Sequence, residues 1–378
     1  MAGVYVRWVW CRAVLHRGWW LVTSIYLVAD ARLTAAQLVL IGVAQALVGL
    51  VFEVPAGVVA DTFSRKWSLV AAHVLMGTAM LATALVSDFV PLVATQMLWG
   101  LSWTLASGSD VAWISDELGD PDRVPDVLIR AERAQLTGTV AGLAALGGLA
   151  WLVGRPAAMI VAGVAMIGLG LVVAVRFPEG RIPRQRWSSV LAGGVRLVRA
   201  DRVLIAVFAA TLLVNGVTSA FGRLYPLRLV ELAPAVDPVL WLTGLSVVMC
   251  LGGAAVLRRI KPGDVRRGYA AACAVATIGV LGLAFAPDPV SASVAVLVAA
   301  GALPLTRSFG TVWVNGRTTS AVRATVHSLL AQADYVGTIV CGLAVAFLPA
   351  LPLCAALLVT AAVVVRASDR QGNRKRPG

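Results

Sequence analysis

Apolar segments of about twenty residues recur along the whole chain, each parted from the next by a short polar link. A helix of that length crosses the ~30 Å hydrocarbon layer of a bilayer. That layer holds no water to satisfy peptide groups, so each segment must bond its own N–H and C=O groups as a helix. Twelve segments qualify: Cys11–Ala29, Gln37–Ala60, Trp67–Ser87, Pro91–Ser115, Ala134–Val153, Pro156–Val175, Val203–Leu227, Pro238–Leu257, Tyr269–Ala286, Ser291–Asn315, Thr325–Leu348 and Leu351–Val365. Only 13% of the 378 residues are charged, against roughly 25% in a soluble protein. Because the apolar content runs the full length, a soluble protein with a single anchor is excluded.

The net charge of +13 raises the question of a nucleic-acid partner. Its distribution answers against one. Of the 32 basic residues, 27 fall at the N-terminus, at the C-terminus or in alternate links. These include Arg7, Arg12 and Arg17, then Arg65 and Lys66, Arg123 to Arg133, Arg176 to Arg202, Arg258 to Arg267, Arg317 and Arg323, and Arg366 to Arg376. The opposite links hold only Arg32, Arg155 and Arg228. Excess basic charge marks the cytoplasmic side, so both termini are expected there. Arginine outnumbers lysine 29 to 3, a bias that fits a GC-rich bacterial genome. The expectation is a multi-pass protein of a bacterial plasma membrane, its partners a lipid bilayer and a small-molecule substrate, acting as a monomer. Ala29-Asp30-Ala31 has the form of a signal-peptide cleavage site, but an even span count requires the preceding segment as the first helix.

The links divide the chain into halves. Residues 1–176 form one six-span bundle and 203–366 a second. Residues 177–202 form a basic central loop with Pro178 and Pro183, and 367–378 a basic tail. The end of the loop, Ser188 to Ala200, carries a helical pattern suited to the membrane surface. The expected fold is thus all-α and integral to the membrane, with twelve transmembrane helices in two six-helix bundles. Internal repeats of this kind are typical of secondary transporters.

One link carries a pattern where free variation would be normal: Gly57-x-x-x-Asp61-x-x-x-Arg65-Lys66. It resembles the loop between helices two and three of the major facilitator superfamily (MFS). The usual form has Arg after the Asp and Gly before the basic pair, where this chain has Thr62 and Ser64. Phe52-Glu53-Val54-Pro55-Ala56-Gly57 and Ala112 to Glu117 resemble a subgroup of bacterial drug-efflux-type members. The resemblance implies a gating latch, in which the loop engages Asp116 at the end of span four and Arg323 at the start of span eleven. Asp61 would complement the N-terminus of that last helix, and Gly57 would let the two bundles touch closely. Span five is glycine-rich at Gly138, Gly142, Gly147 and Gly148, but departs from the antiporter signature Gly-Pro-x-x-Gly-Gly: Leu143 follows Gly142 and the double glycine falls one place late.

Ionisable groups within apolar spans are costly, and each is a candidate for mechanism or for a structural pair. Glu53 lies within reach of Arg12 and Arg17 across spans one and two, and pairing there would hold it ionised. Asp110 sits among Ser107, Gly108 and Ser109, where small residues allow a polar cavity. Arg307 and Asp334 lie 13 and 14 residues either side of a turn near Ser320, so two antiparallel helices place them at similar depth. They are expected to form a buried pair, read either as a static lock or as a proton- or substrate-sensitive switch. Arg223 either meets an anion or, as favoured here, snorkels to the surface. His73 and His327 have no ligand spacing. Cys11, Cys250, Cys273, Cys341 and Cys354 have no metal spacing and read as small hydrophobes.

No phosphate-binding loop or nucleophile with a matched base appears, so neither an ATP-driven pump nor an enzyme is indicated. No catalytic residue, metal or cofactor is expected, and a proton gradient is the expected energy source. Proton-coupled export of a small, partly apolar molecule is the first reading. Uptake of a metabolite is the second, and a transport-dead receptor or scaffold the third. The charge pattern makes a direct prediction. Reporter tags at the N-terminus, after Arg186 and at Gly378 should all report the cytoplasm, and any one of them outside would break the span count.

Overall fold

The structure, a computed structural model, describes residues 1–120, 122–179, 202–259, 264–318 and 320–372. Within these, the side chains of 202, 257–259, 320–325, 327–328 and 368–372 are not described. The central-loop segment expected to be helical, Ser188 to Ala200, lies outside the described residues.

All regular structure among the described residues is helical. The helices are α1 (Ala2–Ala29), α2 (Ala35–Thr62), α3 (Arg65–Ala84), α4 (Phe89–Ala106), α5 (Ser109–Leu118), α6 (Val124–Val153), α7 (Arg155–Arg176), α8 (Arg202–Leu232), α9 (Pro238–Arg259), α10 (Val265–Ala284), α11 (Pro289–Asn315), α12 (Ser320–Phe347) and α13 (Ala350–Gly372). Eleven stretches are long and apolar enough to cross a membrane, one of them α4 and α5 together. The first helix is not among these eleven; it carries Arg7, Arg12 and Arg17.

Helix boundaries depart from the apolar runs in two informative places. Helices α1 and α6 begin nine and ten residues before their apolar segments, because charged residues such as Arg7, Arg130 and Glu132 continue the same hydrogen-bonded spiral. Span four breaks in two at Gly108, whose φ of 72° is open to glycine at little cost. The break starts a new helix one residue before Asp110. Elsewhere helix starts follow local chemistry. Asp288 accepts from the N–H groups of Val290 (2.8 Å) and Ser291 (3.0 Å), with Pro289 at the first helical position. The backbone N–H of Ser291, with its hydroxyl, holds the Asp288 carboxyl below the usual carboxylate range. Asp237 before Pro238 and Asp264 before Val265 accept in the same way. Pro55, Pro226 and Pro304 sit inside helices, where neighbouring segments satisfy the freed backbone.

The described residues fall into two compact units. One comprises Met1–Thr34, Leu47–Arg184 and Ala235–Cys250, and the other Ala35–Ala46, Gln185–Pro234 and Leu251–Gly378. Helix α2 thus contributes its first part to the second unit, and α9 its first part to the first. Within the first unit α1 packs on α6 and α7, and α3 on α4 and α7. Within the second, α8 packs on α12 and α13, and α10 on α11 and α13. These are equivalent pairings of a repeated six-span plan.

Small residues make the closest pairings possible. A Cβ added to Gly142 of α6 would lie 2.7 Å from Val14 Cα of α1. The equivalent contact recurs in the second unit, where a Cβ on Gly337 of α12 would lie 2.8 Å from the Leu212 carbonyl carbon of α8. Backbone cannot swing aside as a flexible side chain can. Gly142→Ala should therefore lower stability by about 1–3 kcal/mol, read as a drop in Tm in detergent. Gly148→Ala, on the same helix with open space around it, should leave Tm unchanged or raise it.

Candidate functional site

Three polar clusters interrupt the apolar interior. The first lies at the Gly57–Lys66 link. Arg65 opens α3 and donates through Nε and Nη2 to Asp61 Oδ1 of α2, at 3.1 and 3.0 Å. Its Nη1 donates to the Ala112 carbonyl of α5 at 3.2 Å and to the Asp116 carboxylate. One guanidinium thus joins three helices, as its planar fork of donors allows. Lys66 places its ammonium 5.5 Å from the Trp67 ring centroid. Both departures from the usual motif have local roles. Thr62 returns its hydroxyl to the Val58 carbonyl at 2.7 Å, and Ser64 caps α3 by accepting from Trp67 N–H at 3.2 Å. Gly57 faces open space, since an added Cβ would meet nothing within 4 Å. The Arg323 side chain lies outside the described residues, so of the residues expected to form a latch the structure brings together Asp61, Arg65 and Asp116.

The second cluster fills the interior of the first unit. Arg12 Nη2 donates to Asp110 Oδ2 at 2.9 Å, and its guanidinium lies 4.4 Å from the Trp8 ring centroid. Trp8 donates its indole N–H to His73 Nε2 at 3.2 Å, and His73 Nδ1 lies 2.6 Å from the Leu69 carbonyl. These two bonds place the imidazole proton on Nδ1 and give His73 a structural role. The expected pairing of Glu53 with Arg12 or Arg17 is corrected. Asp110 takes Arg12, and Glu53 accepts instead from the Ser107 hydroxyl at 2.8 Å. The physical reason is the break at Gly108, which turns the first residues of α5 toward α1.

The third cluster belongs to the second unit. Arg307 Nη2 of α11 donates to Asp334 Oδ2 of α12 at 2.9 Å, so the two residues meet across the turn as their spacing requires. The pair is not sealed, however. The Arg307 side chain is 73% exposed and Asp334 24%, because both line a cavity of about 200 Å³ with Asn215, Tyr269 and Thr306. Asn215 of α8 also donates its amide to Asp334. Arg223 does not snorkel. It donates to Gln45 Oε1 of α2, which lies in the same unit.

Sequence reasoning missed Asn215 and Gln45. Each is a lone amide in an apolar run, which is the signal that marks them. All five cysteines are free, with Cys273, Cys341 and Cys354 buried.

Two repeated six-span units with charged groups held inside them define a membrane transporter. The Major Facilitator Superfamily profile matches residues 11–342, and the chain belongs to that family. The family makes it a multi-pass membrane transporter and not an enzyme, with twelve transmembrane helices in two bundles. Among solved structures, the nucleoside transporter NupG matches with a TM-score of 0.80 at 14% identity, over 98% of this chain and 100% of that one. A bacterial homologue of the human lysosomal transporter Spinster matches at 0.74 and 14%, over 99% of each chain. A POT family transporter in complex with a thioalcohol-conjugated peptide matches at 0.75 and 12%, over 99% and 96%. At these identities the likeness is one of fold. No curated protein sequence matches the chain.

The geometry of the third cluster yields a double-mutant prediction. An open pair is worth less than a buried one, so Arg307 and Asp334 should couple by ~0.5–1 kcal/mol. Arg307→Ala and Asp334→Asn, singly and together, measure this by thermal or denaturant unfolding. Additive effects would show that the contact contributes nothing to stability.

Proposed function

We propose that this protein is a proton-coupled exporter of a small, partly apolar molecule, working by alternating access. The observation that carries the proposal is the open Arg307–Asp334 pair at the cavity of the second unit. A carboxylate that is ion-paired, hydrogen-bonded and still reachable by water can exchange a proton. Protonation would remove its hold on Arg307 and free that guanidinium to reorganise. Arg307 from α11, Tyr269 from α10 and Asn215 from α8 all face Asp334. Arg307 is the group that answers to its charge. Export is favoured over uptake by the resemblance of Glu53–Lys66 and Ala112–Glu117 to efflux-type members. The Arg65 hub supports a latch that alternately holds and releases, with Arg323 proposed as its further partner. We place the protein in a bacterial plasma membrane with both termini cytoplasmic.

The second reading, uptake of a metabolite, draws on the nucleoside and peptide transporters of the same fold. Reconstitution in vesicles with an acid interior separates the readings. Solutes are added outside from a library, and internal pH is followed with a trapped dye. An antiport substrate should drive protons out as it enters. Asp334→Asn should keep substrate-for-substrate exchange and lose the proton movement. Protons moving with the solute would establish uptake, and a library in which no solute moves would leave a receptor or scaffold.

A further inference from the structure

Arg17 differs from Arg12 and Arg307, two span arginines that pair with a carboxylate. Helix α1 runs Ala2–Ala29, and Arg17 lies six residues, about 9 Å, into its apolar part, which begins at Cys11. Arg12 is matched by Asp110 and Arg307 by Asp334. Among the described residues no carboxylate pairs with Arg17. A cation within an apolar span without a carboxylate partner is costly, and its retention, partly exposed beside a cleft, points to a ligand of opposite charge.

A second, independent observation lies beside it. His16 Nε2 is fully buried and has no hydrogen-bond partner. His16 and Arg17 line one cleft of about 40 Å³ between α1, α3, α4 and α6, with Gln135 and Trp103. The other basic groups of that cleft are already engaged: Arg12 on Asp110, and His73 between Trp8 and Leu69. The cleft therefore offers a guanidinium and an imidazole nitrogen that no described residue pairs with.

Beside the cleft lies an aromatic cluster. His16 stacks on Trp103 with centroids 5.3 Å apart and on Trp99 at 5.4 Å, and Trp99 stacks on Trp103 at 5.9 Å. Trp19 and Trp20 extend this ladder along α1. Trp103 remains 41% exposed, so a planar group can stack on it while its polar end enters the cleft.

From this we propose that the first unit binds an aromatic carboxylate: the carboxylate sits on Arg17 and the N–H of His16, and the ring lies on Trp103. This rests on the transporter reading and names its substrate class. The probes are indole-3-acetate, the uncharged indole-3-acetamide and the cationic tryptamine, which share one ring and differ in charge. Equilibrium binding to the purified full-length protein in nanodiscs, with no gradient imposed, should rank the acid first. The amide should bind at least about tenfold more weakly, the loss expected when a charge-assisted hydrogen bond becomes a neutral one. Arg17→Gln should erase the preference for acid over amide. Arg17→Lys, which keeps the charge, should restore part of it, and Tm confirms that both variants fold. Trp103→Ala should weaken acid and amide alike. Equal binding of acid and amide, an unchanged preference in Arg17→Gln, or no saturable binding of the acid would each overturn the proposal. Binding of the acid without proton-driven flux would instead overturn the export mechanism and leave the site standing.

Discussion

The hydrocarbon layer imposes one constraint from which most of the molecule follows: no polar group inside it can turn to water. Peptide groups meet that demand by forming helices. Side chains meet it largely by pairing, and most charges within the spans sit where a second helix supplies a partner. Arg12 finds Asp110 across α1 and α5, and Arg307 finds Asp334 across α11 and α12. Arg223 finds the carbonyl of an amide, Gln45. The same demand sets packing. With apolar surface equally content against lipid, helices associate through close van der Waals contact, and Gly142 and Gly337 give the two units their tightest seams at equivalent places.

Arg65 shows how much one side chain can organise at a membrane surface. It ties the last turn of α2 to the first turn of α3 and to the end of α5. The link between α2 and α3 is only a few residues long, so its sequence decides where three helix ends sit. Ser64 and Thr62 serve that short link as a cap and as a backbone-bonded plug. Their departure from the usual motif leaves the Asp61–Arg65–Asp116 arrangement in place.

Much of this was legible in the sequence because membranes simplify the code. Eleven of the spans follow from apolar length, and the Arg307–Asp334 contact followed from counting outward from a turn. Such counting works only for neighbours in sequence joined by a short link. Arg12 and Asp110 lie 98 residues apart, and choosing Asp110 over Glu53 required knowing that Gly108 breaks span four. A glycine in a membrane helix is too common to announce such a break. Arg223 misled for a related reason. Its distance from a helix end permits snorkelling, and only the position of Gln45 on α2 shows that a nearer partner was available. The exposure of Arg307 was equally hidden, since depth along a helix says nothing about which face meets a cavity.

The polar interiors of the two units differ in kind. In the second, the Arg307–Asp334 pair shares an open cavity with amide, phenol and hydroxyl groups. Such a site can lose or gain a proton while keeping neutral partners at hand. In the first, Asp110 is committed to Arg12, His73 is committed on both nitrogens, and a further cation stands beside a buried imidazole and a ladder of indoles. That arrangement has little use for a proton, and in it Arg17 has no carboxylate partner among the described residues. On the proposed reading, substrate charge is answered in one repeat and proton charge in the other. Each unit then keeps its own electrostatic balance, and a conformational change need not carry an uncompensated charge through the apolar interior.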